Sequence, residues 1–147
     1  MIISPTAAFS TTFRVYYEDT DAGGVIFYAN YLKFFERART EWLRSLGFGQ
    51  HDLSQQTNTI FMVVNTSVDY LKPGRLDDLL HVTVDIEKVG RASMNFNQGC
   101  YRLASNGTEL EKLSHGSITV CCVDLNKLKP TAIPEVVRNK IRTSSTD

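Results

Sequence analysis

Three carboxylates crowd one short stretch of this chain: Glu18, Asp19 and Asp21, in the run Y-E-D-T-D-A-G-G. The glycine pair Gly23-Gly24 follows, and after it the only long helical pattern in the sequence. A carboxylate on a turn that leads into a helix faces unpaired main-chain N–H groups and the positive end of the helix dipole. Those N–H groups can polarise a substrate carbonyl. A carboxylate beside them can activate water or attack the acyl carbon directly. The combination suits acyl transfer. A second reading stands beside it with equal weight: aspartates fill turns because their side chains accept hydrogen bonds from nearby backbone amides.

Other chemistries find less support. The acids lack the repeating spacing of a calcium loop, and His51, His81 and His115 are scattered without ligand spacing, so no metal site is expected. There is no G-x-S-x-G elbow, no Walker A loop and no G-x-G-x-x-G. Lys72, Arg75, Lys88 and Arg91 fall in or beside strand-connecting turns. Such residues are ordinarily a solvated surface; converging across a dimer, they would hold a polyphosphate.

The elements that must position the acids are legible. Tyr31, Phe34, Phe35, Ala38, Trp42 and Leu46 recur at spacings of three and four, one apolar stripe of a helix. Lys33, Glu36, Arg37, Arg39 and Arg44 take its other side, with Arg37 and Glu41 able to pair across a turn. Asn30 is the candidate N-cap and Gly47 the stop. A short strand is expected over Phe13 to Glu18, and 49–58 reads as irregular. Long strands are expected over Ile60 to Leu71, Leu79 to Val89, Ala92 to Leu103 and Leu110 to Asp124. Val64, Thr66, Val68 and Tyr70 share one face of the first of these; Leu80, Val82, Val84 and Ile86 share one face of the second. A terminal helix is expected over Ile133 to Ile141. Residues 1–12 read as a flexible leader and 142–147 as a flexible tail. Turn-linked strands are read as antiparallel neighbours. One apolar helix against one antiparallel sheet is an α+β arrangement, whose exposed edges favour a homodimer.

The chain has 147 residues, 42% hydrophobic, enough for one domain and one core. Lys plus Arg and Asp plus Glu balance at 16 each, which gives no general attraction to nucleic acid or an anionic membrane. No apolar run is long enough to span a bilayer, and the N-terminus lacks the pattern of a signal peptide. The three cysteines, Cys100, Cys121 and Cys122, lie in apolar strand-like runs and read as buried reduced thiols, in keeping with a cytoplasmic location.

The run YYEDTDAGGVIFYANYLKFFERARTEWLR resembles the hotdog-fold acyl-CoA thioesterases of the 4-hydroxybenzoyl-CoA thioesterase class, especially their Tol–Pal-associated subfamily. YLKPGRLDD and VCCVDLNKLKPTAIP are similar to later segments of that subfamily. The resemblance implies a hotdog fold in which a long central helix is wrapped by a five-stranded antiparallel sheet, in a single domain over 1–147. It also implies homodimers or dimers of dimers. The implied activity is hydrolysis of a short-chain aliphatic or aromatic acyl-CoA without metal or cofactor, coenzyme A being part of the substrate. The family's catalytic aspartate falls on Asp21 and its backbone oxyanion donor on Tyr28. Gly24, Val25 and Arg91 are the expected substrate contacts. Many Tol–Pal-type members carry histidine where this chain has Tyr28; a backbone donor survives that change, whereas a histidine side-chain role does not. The competing function is a module that binds acyl-CoA or acyl carrier protein within an envelope or lipid-synthesis complex, with weak hydrolysis. Dehydration of a hydroxyacyl thioester, a third option, usually uses a histidine in the helix region, and none lies between Glu18 and Gln50.

Overall fold

The computed structural model describes residues 8–107 and 109–145. Residues 1–7 of the expected leader and 146–147 of the expected tail lie outside the described residues. The elements are β1 (Phe9–Arg14), α1 (Asn30–Ser45), α2 (Gln50–Thr57), β2 (Thr59–Tyr70), β3 (Leu79–Val89), β4 (Ser93–Leu103), β5 (Leu110–Asp124) and α3 (Glu135–Ser145). The strands form one antiparallel sheet in the order β1-β3-β4-β5-β2.

The helix α1 forms where its apolar stripe predicts and packs on one sheet face. Phe34, Phe35 and Ala38 are buried against a core that includes Leu80, Val82, Val84 and Phe96. The Trp42 and Phe96 rings meet edge to face at 5.3 Å. Full burial of each such side chain contributes on the order of 1.5–3 kcal/mol, so this stripe fixes how the helix lies. Arg39 departs from the expected solvent side: it is half-buried, and its Nη1 donates to Gln98 Oε1 at 2.9 Å. It lies four residues after Phe35 and three before Trp42, which places it at the border of the stripe. Glu41 pairs with Arg44 rather than with Arg37, whose guanidinium sits over the Phe34 ring.

Several expectations need correction. The first strand starts at Phe9, inside the expected leader, and ends at Arg14; Tyr17–Asp19 is a turn of 3-10 helix. The apolar residues of Phe9–Arg14 are spaced by polar ones, which a count of aromatic and β-branched residues underrates. Gln50–Thr57 is helical rather than irregular, yet buries only Leu53, so its periodicity is faint. The chain then leaves this helix through Asn58 in the left-handed conformation, φ 57°. The terminal helix begins after Pro134 and runs past Ile141, into the expected tail.

The larger correction concerns β2. The turn at Lys72–Arg75 does not join neighbouring strands. β2 pairs with β5 at one edge of the sheet, and the chain crosses the sheet's end to reach β3 near the other edge. Burial explains the placement. β3 carries Leu80, Val82, Thr83 and Val84 buried and belongs inside the sheet, whereas residues 62–67 of β2 are exposed. The register of β2 against β5 shifts between Val63 and Asn65. The shift moves the helix-facing set from odd to even numbers. Phe61 packs on the core before it and Val68 after it, while Val64 is exposed and does not share their face. The register of β4 against β5 shifts between Cys100 and Tyr101. Cys100 and Cys122 are buried, Cys121 is half-buried, and all three are free thiols.

Candidate active site

The acidic turn divides its labour. Asp19 is buried, its Oδ2 accepting from the Tyr16 N–H at 2.8 Å and its Oδ1 from the Asn30 side-chain amide at 2.7 Å. Its carbonyl accepts from the Phe27 N–H at 3.0 Å. Asp19 therefore fixes the turn to the first residue of α1, the role in which an aspartate serves the backbone. Asp21 is exposed at the tip of a small hairpin. Its Oδ1 accepts from the Gly23 N–H at 2.9 Å, and the hairpin closes through Asp21 N–H to Val25 O at 2.9 Å. Gly24 holds φ +78°, a conformation that favours glycine. Both aspartates thus accept from backbone amides of the turn, Asp19 in a buried site and Asp21 in an exposed one.

A second segment clamps this hairpin. The Ile26 N–H donates to Gly74 O at 2.8 Å, Leu76 N–H donates to Gly24 O at 3.3 Å, and Val25 bridges Arg75. The Gly74 N–H donates to the buried Tyr31 hydroxyl at 3.1 Å, and burial raises the pKa of that hydroxyl. A Cβ on Gly74 would stand 2.4 Å from Ile26 Cδ1 and 3.1 Å from Leu113 Cδ1, so a larger residue would have to displace these side chains. The YLKPGRLDD run is thereby the support of the acidic turn. Its outer side is tied to the sheet by ion pairs of Lys72 and Arg102 with Glu111 and of Arg102 with Asp78. Bonds to Lys72 and Arg102 hold the Glu111 carboxyl below its usual range.

The winding of α1 begins before its first regular residue. Phe27, Tyr28 and Ala29 carbonyls accept from Asn30, Tyr31 and Leu32 N–H at 2.8, 3.4 and 3.2 Å. Asn30 is consequently the first helical residue and not the N-cap. Among the described residues no backbone oxygen accepts from the Tyr28 N–H, the orphan donor expected at a helix start. Tyr28 borders a hollow of ≈ 270 Å³ shared with Ile26, Tyr31, Tyr70, Lys72 and Pro73. The Tyr70 hydroxyl donates to Tyr28 O at 3.1 Å, and its ring stands edge-on to both Tyr28 and Tyr31.

Of the residues singled out from sequence, Asp21, Gly24, Val25 and Tyr28 lie on this one hairpin-to-helix segment. Arg91 does not. It sits in the β3–β4 turn, at the opposite end of the sheet, where its carbonyl accepts from Ile133 N–H and Arg138 Nη2. Among the described residues no group of three or more His, Cys, Asp or Glu could hold a metal ion. His81 and His115 are separate, each with its pKa lowered by burial. The sequence offers Asn30 as an N-cap and Asp19 as one acid among three, and carries no signal that the two bond each other; a P-G dipeptide at Pro73-Gly74 signals a turn and not its contact with Tyr31.

The sequence model of the thioesterase superfamily matches residues 23–104. The acyl-CoA thioesterase YbgC of Haemophilus influenzae is 47% identical over 130 residues, 88% of this chain and 91% of that protein. The acyl-CoA thioester hydrolase YbgC of Escherichia coli O157:H7 is 41% identical over 132 residues, 90% of this chain and 94% of that protein. Among solved structures, a 1,4-dihydroxy-2-naphthoyl-CoA thioesterase from Synechocystis superposes with a TM-score of 0.81 at 21% identity, covering 91% of this chain and 95% of its own, a likeness of fold. A gentisyl-coenzyme A thioesterase superposes with a TM-score of 0.77 at 25% identity, covering 88% and 99%. Matched by the superfamily's sequence model over more than half its length and sharing an α+β hotdog sheet with solved thioesterases, the chain belongs to the thioesterase superfamily.

Proposed function

We propose that the protein hydrolyses the thioester of short-chain aliphatic or aromatic acyl-CoA substrates, with Asp21 acting on the acyl carbon and the Tyr28 N–H holding the carbonyl oxygen. The observation that carries the reading is the Tyr28 N–H without a backbone acceptor among the described residues, at the wound start of α1, on a residue that borders a hollow and follows the hairpin that bears Asp21. The names of the Haemophilus influenzae and Escherichia coli relatives support acyl-CoA as the substrate class.

As the oxygen gains charge, the Tyr28 N–H donates to it; loss of one such donor typically costs about 10²–10³ in rate. Asp21 either attacks the acyl carbon, forming an anhydride that water then opens, or takes a proton from the attacking water. Both routes expel coenzyme A as thiolate. A thiol of pKa near ~8.5 leaves without a proton donor, so one carboxylate and one N–H suffice. Nothing in this scheme calls for a metal or cofactor. Gly24 and Val25 line the approach to Asp21 as backbone contacts.

The exposed β2 edge completes the proposal. Met62, Val63 and Val64 are 46%, 49% and 60% exposed on β2, the edge strand beside β5. A long apolar edge is a template for pairing with a second chain. Antiparallel β2–β2 pairing makes a homodimer, which can pair again as a dimer of dimers. It also brings the far end of the partner's sheet, with Arg91, toward the Asp21 hairpin, where a guanidinium can meet a phosphate of coenzyme A. No helix among the described residues is long and apolar enough to cross a membrane. An acyl-CoA substrate and free thiols fit a cytoplasmic setting.

Thiol release from a panel of acyl-CoAs tests the reading. Turnover of short aliphatic or aromatic members is expected. Binding without release from any of them would favour a binding module, including one for acyl carrier protein. A single turnover in ¹⁸O-water reads the route: an anhydride opened at the Asp21 carbon leaves ¹⁸O in the Asp21 carboxylate and releases unlabelled acid, whereas base catalysis puts ¹⁸O in the acid and none in Asp21.

A further inference from the structure

Two hollows flank β2, one toward each end. The first is that of Tyr28 and Tyr70. The second, ≈ 170 Å³, lies between α1, α2 and the opposite half of the sheet, with Trp42, Phe61, Phe96 and Val120 as apolar wall and Glu36, Arg39, Thr40 and Gln50 as polar wall. A cavity of roughly 150 Å³ accepts benzene, so this one has room for a ring or a short chain.

Arg39 is what sets it apart. Its Nη1 donates to the Gln98 side-chain oxygen at 2.9 Å. Gln98 is fully buried, and its amide nitrogen donates to Phe35 O at 3.0 Å and Thr83 O at 3.4 Å, which fixes its oxygen toward Arg39. That partner is neutral. Among the described residues no carboxylate lies within 4.0 Å of the Arg39 guanidinium. Glu36, one turn away, is held by Thr40 Oγ1 at 2.6 Å instead. Burial lowers the Arg39 pKa. A guanidinium carries five donors in a rigid fork; Arg39 is half-buried with Glu36 near it but not paired to it, so an arriving acceptor can engage donors that Gln98 leaves over.

Within one chain Arg39 stands eleven residues past Tyr28, about 16 Å along the helix axis, beyond the reach of a short acyl group. Antiparallel β2–β2 pairing removes the difficulty. Opposite ends of two β2 strands then face each other, and the second hollow of one protomer opens toward the Tyr28 end of its partner.

We propose that this second hollow receives the distal end of the acyl group bound at the partner's thioester site, and that Arg39 selects acyl groups whose distal end carries a hydrogen-bond acceptor, a carboxylate or a carbonyl oxygen. This rests on the acyl-CoA hydrolase and β2 dimer readings above. An isosteric acyl group that ends in hydrocarbon leaves the guanidinium desolvated and without its acceptor, a mismatch that sites built for hydrogen bonding reject strongly. Arg39 is a specificity residue, remote from the reacting atoms.

The test is kcat/KM for matched pairs on the wild-type dimer: adipoyl-CoA against hexanoyl-CoA, and 4-carboxybenzoyl-CoA and 4-acetylbenzoyl-CoA against benzoyl-CoA. Acceptor-tipped members are expected to lead by tenfold or more; the carboxylate and carbonyl arms show which acceptor is preferred. In Arg39→Met the ratio is expected to collapse toward one, and Arg39→Lys to retain part of it. A wild-type ratio near one overturns the proposal without any variant. So does an unchanged ratio in Arg39→Met, or one in which all substrates decline together, because a merely structural role lowers every substrate alike. Absence of hydrolysis throughout the panel sinks the thioesterase reading itself, a different result from hydrolysis without selectivity.

Discussion

Asn30 donates its side-chain amide to Asp19 at 2.7 Å, and this buried bond ties the acidic turn to the start of α1. Asp21, two residues further, takes no part in it and stands at the exposed tip of the hairpin. The two aspartates should separate cleanly in experiment. Asp21→Asn keeps an oxygen for the Gly23 N–H, so the melting temperature is expected to stay near wild type while kcat falls by about 10² or more. Asp19→Ala strands the Tyr16 N–H and the Asn30 amide in a buried site and is expected to cost about 1–3 kcal/mol of stability. Calorimetry beside initial rates checks both. Near wild-type turnover in Asp21→Asn would remove it from the chemistry.

Gly74 and Ile26 make the tightest approach in the support of the hairpin. Gly74→Ala puts a methyl 2.4 Å from Ile26 Cδ1, so the Ile26 side chain or the segment that carries it must shift. Overpacking of this kind costs typically about 1–3 kcal/mol. Because Ile26 also bonds Gly74 O, the shift reaches the turn of Asp21 and Tyr28. Activity is expected to fall together with stability. Ile26→Val removes the clashing carbon, and the pair in one chain should recover part of both losses. Additive losses in that double-mutant cycle would show that the contact is not the cause.

These two sites mark what could be read from residues alone. The α1 stripe and the β3 alternation were legible because a single periodicity decides each: Phe34, Phe35 and Ala38 are as buried as their spacing demands, and so are Leu80, Val82 and Val84. The edge position of β2 was not legible. A turn signal at Lys72–Arg75 says that the chain reverses, and says nothing of which strand it meets next; β5 wins β2 through a pairing that involves residues some fifty positions away. In the site, the acid-rich turn was evident, but not which acid is anchored. Asp19 and Asp21 are chemically alike, and only the tertiary position of Asn30 and the Tyr16 N–H distinguishes them. A hydropathy pattern puts Arg39 on the solvent side because charge outweighs position in it, whereas a long side chain at the border of a stripe can bury its stem and still reach a partner.

The thiols give a pH dependence with a definite sign. Burial pushes the Cys100 thiol up from 9.0 to about 12. Between those values the unfolded chain loses a proton that the folded chain keeps, so the folded state binds more protons and stability falls as pH rises through 9. Below that pH the group has no effect on stability. Unfolding free energy measured from pH 8 to 10.5 is expected to decline, and Cys100→Ala to flatten the decline. An equal slope in the variant would assign the alkaline loss to other groups. At pH 8 a disulfide reagent is expected to modify the half-buried Cys121 first, and Cys100 and Cys122 only on unfolding.

The β2 edge carries the last expectation, and it bears on the chemistry. Met62 and Val64 are 46% and 60% exposed in the single chain, so lysines there leave the monomer core untouched. Surface changes of this kind are usually within about ±0.5 kcal/mol. At a β2–β2 seam they are not neutral, because inward-facing lysines are the device by which edge strands refuse a partner. The Met62→Lys, Val64→Lys double variant is therefore expected to elute as a folded monomer with the circular dichroism of the wild type. If the acyl group and the phosphates of coenzyme A are gripped by residues of the partner, the monomer must also lose most of its kcat/KM although Asp21 and Tyr28 are intact. Size-exclusion chromatography with light scattering reads the first outcome and thiol release the second. A monomer that turned over acyl-CoA at the wild-type rate would show that one chain holds the whole site.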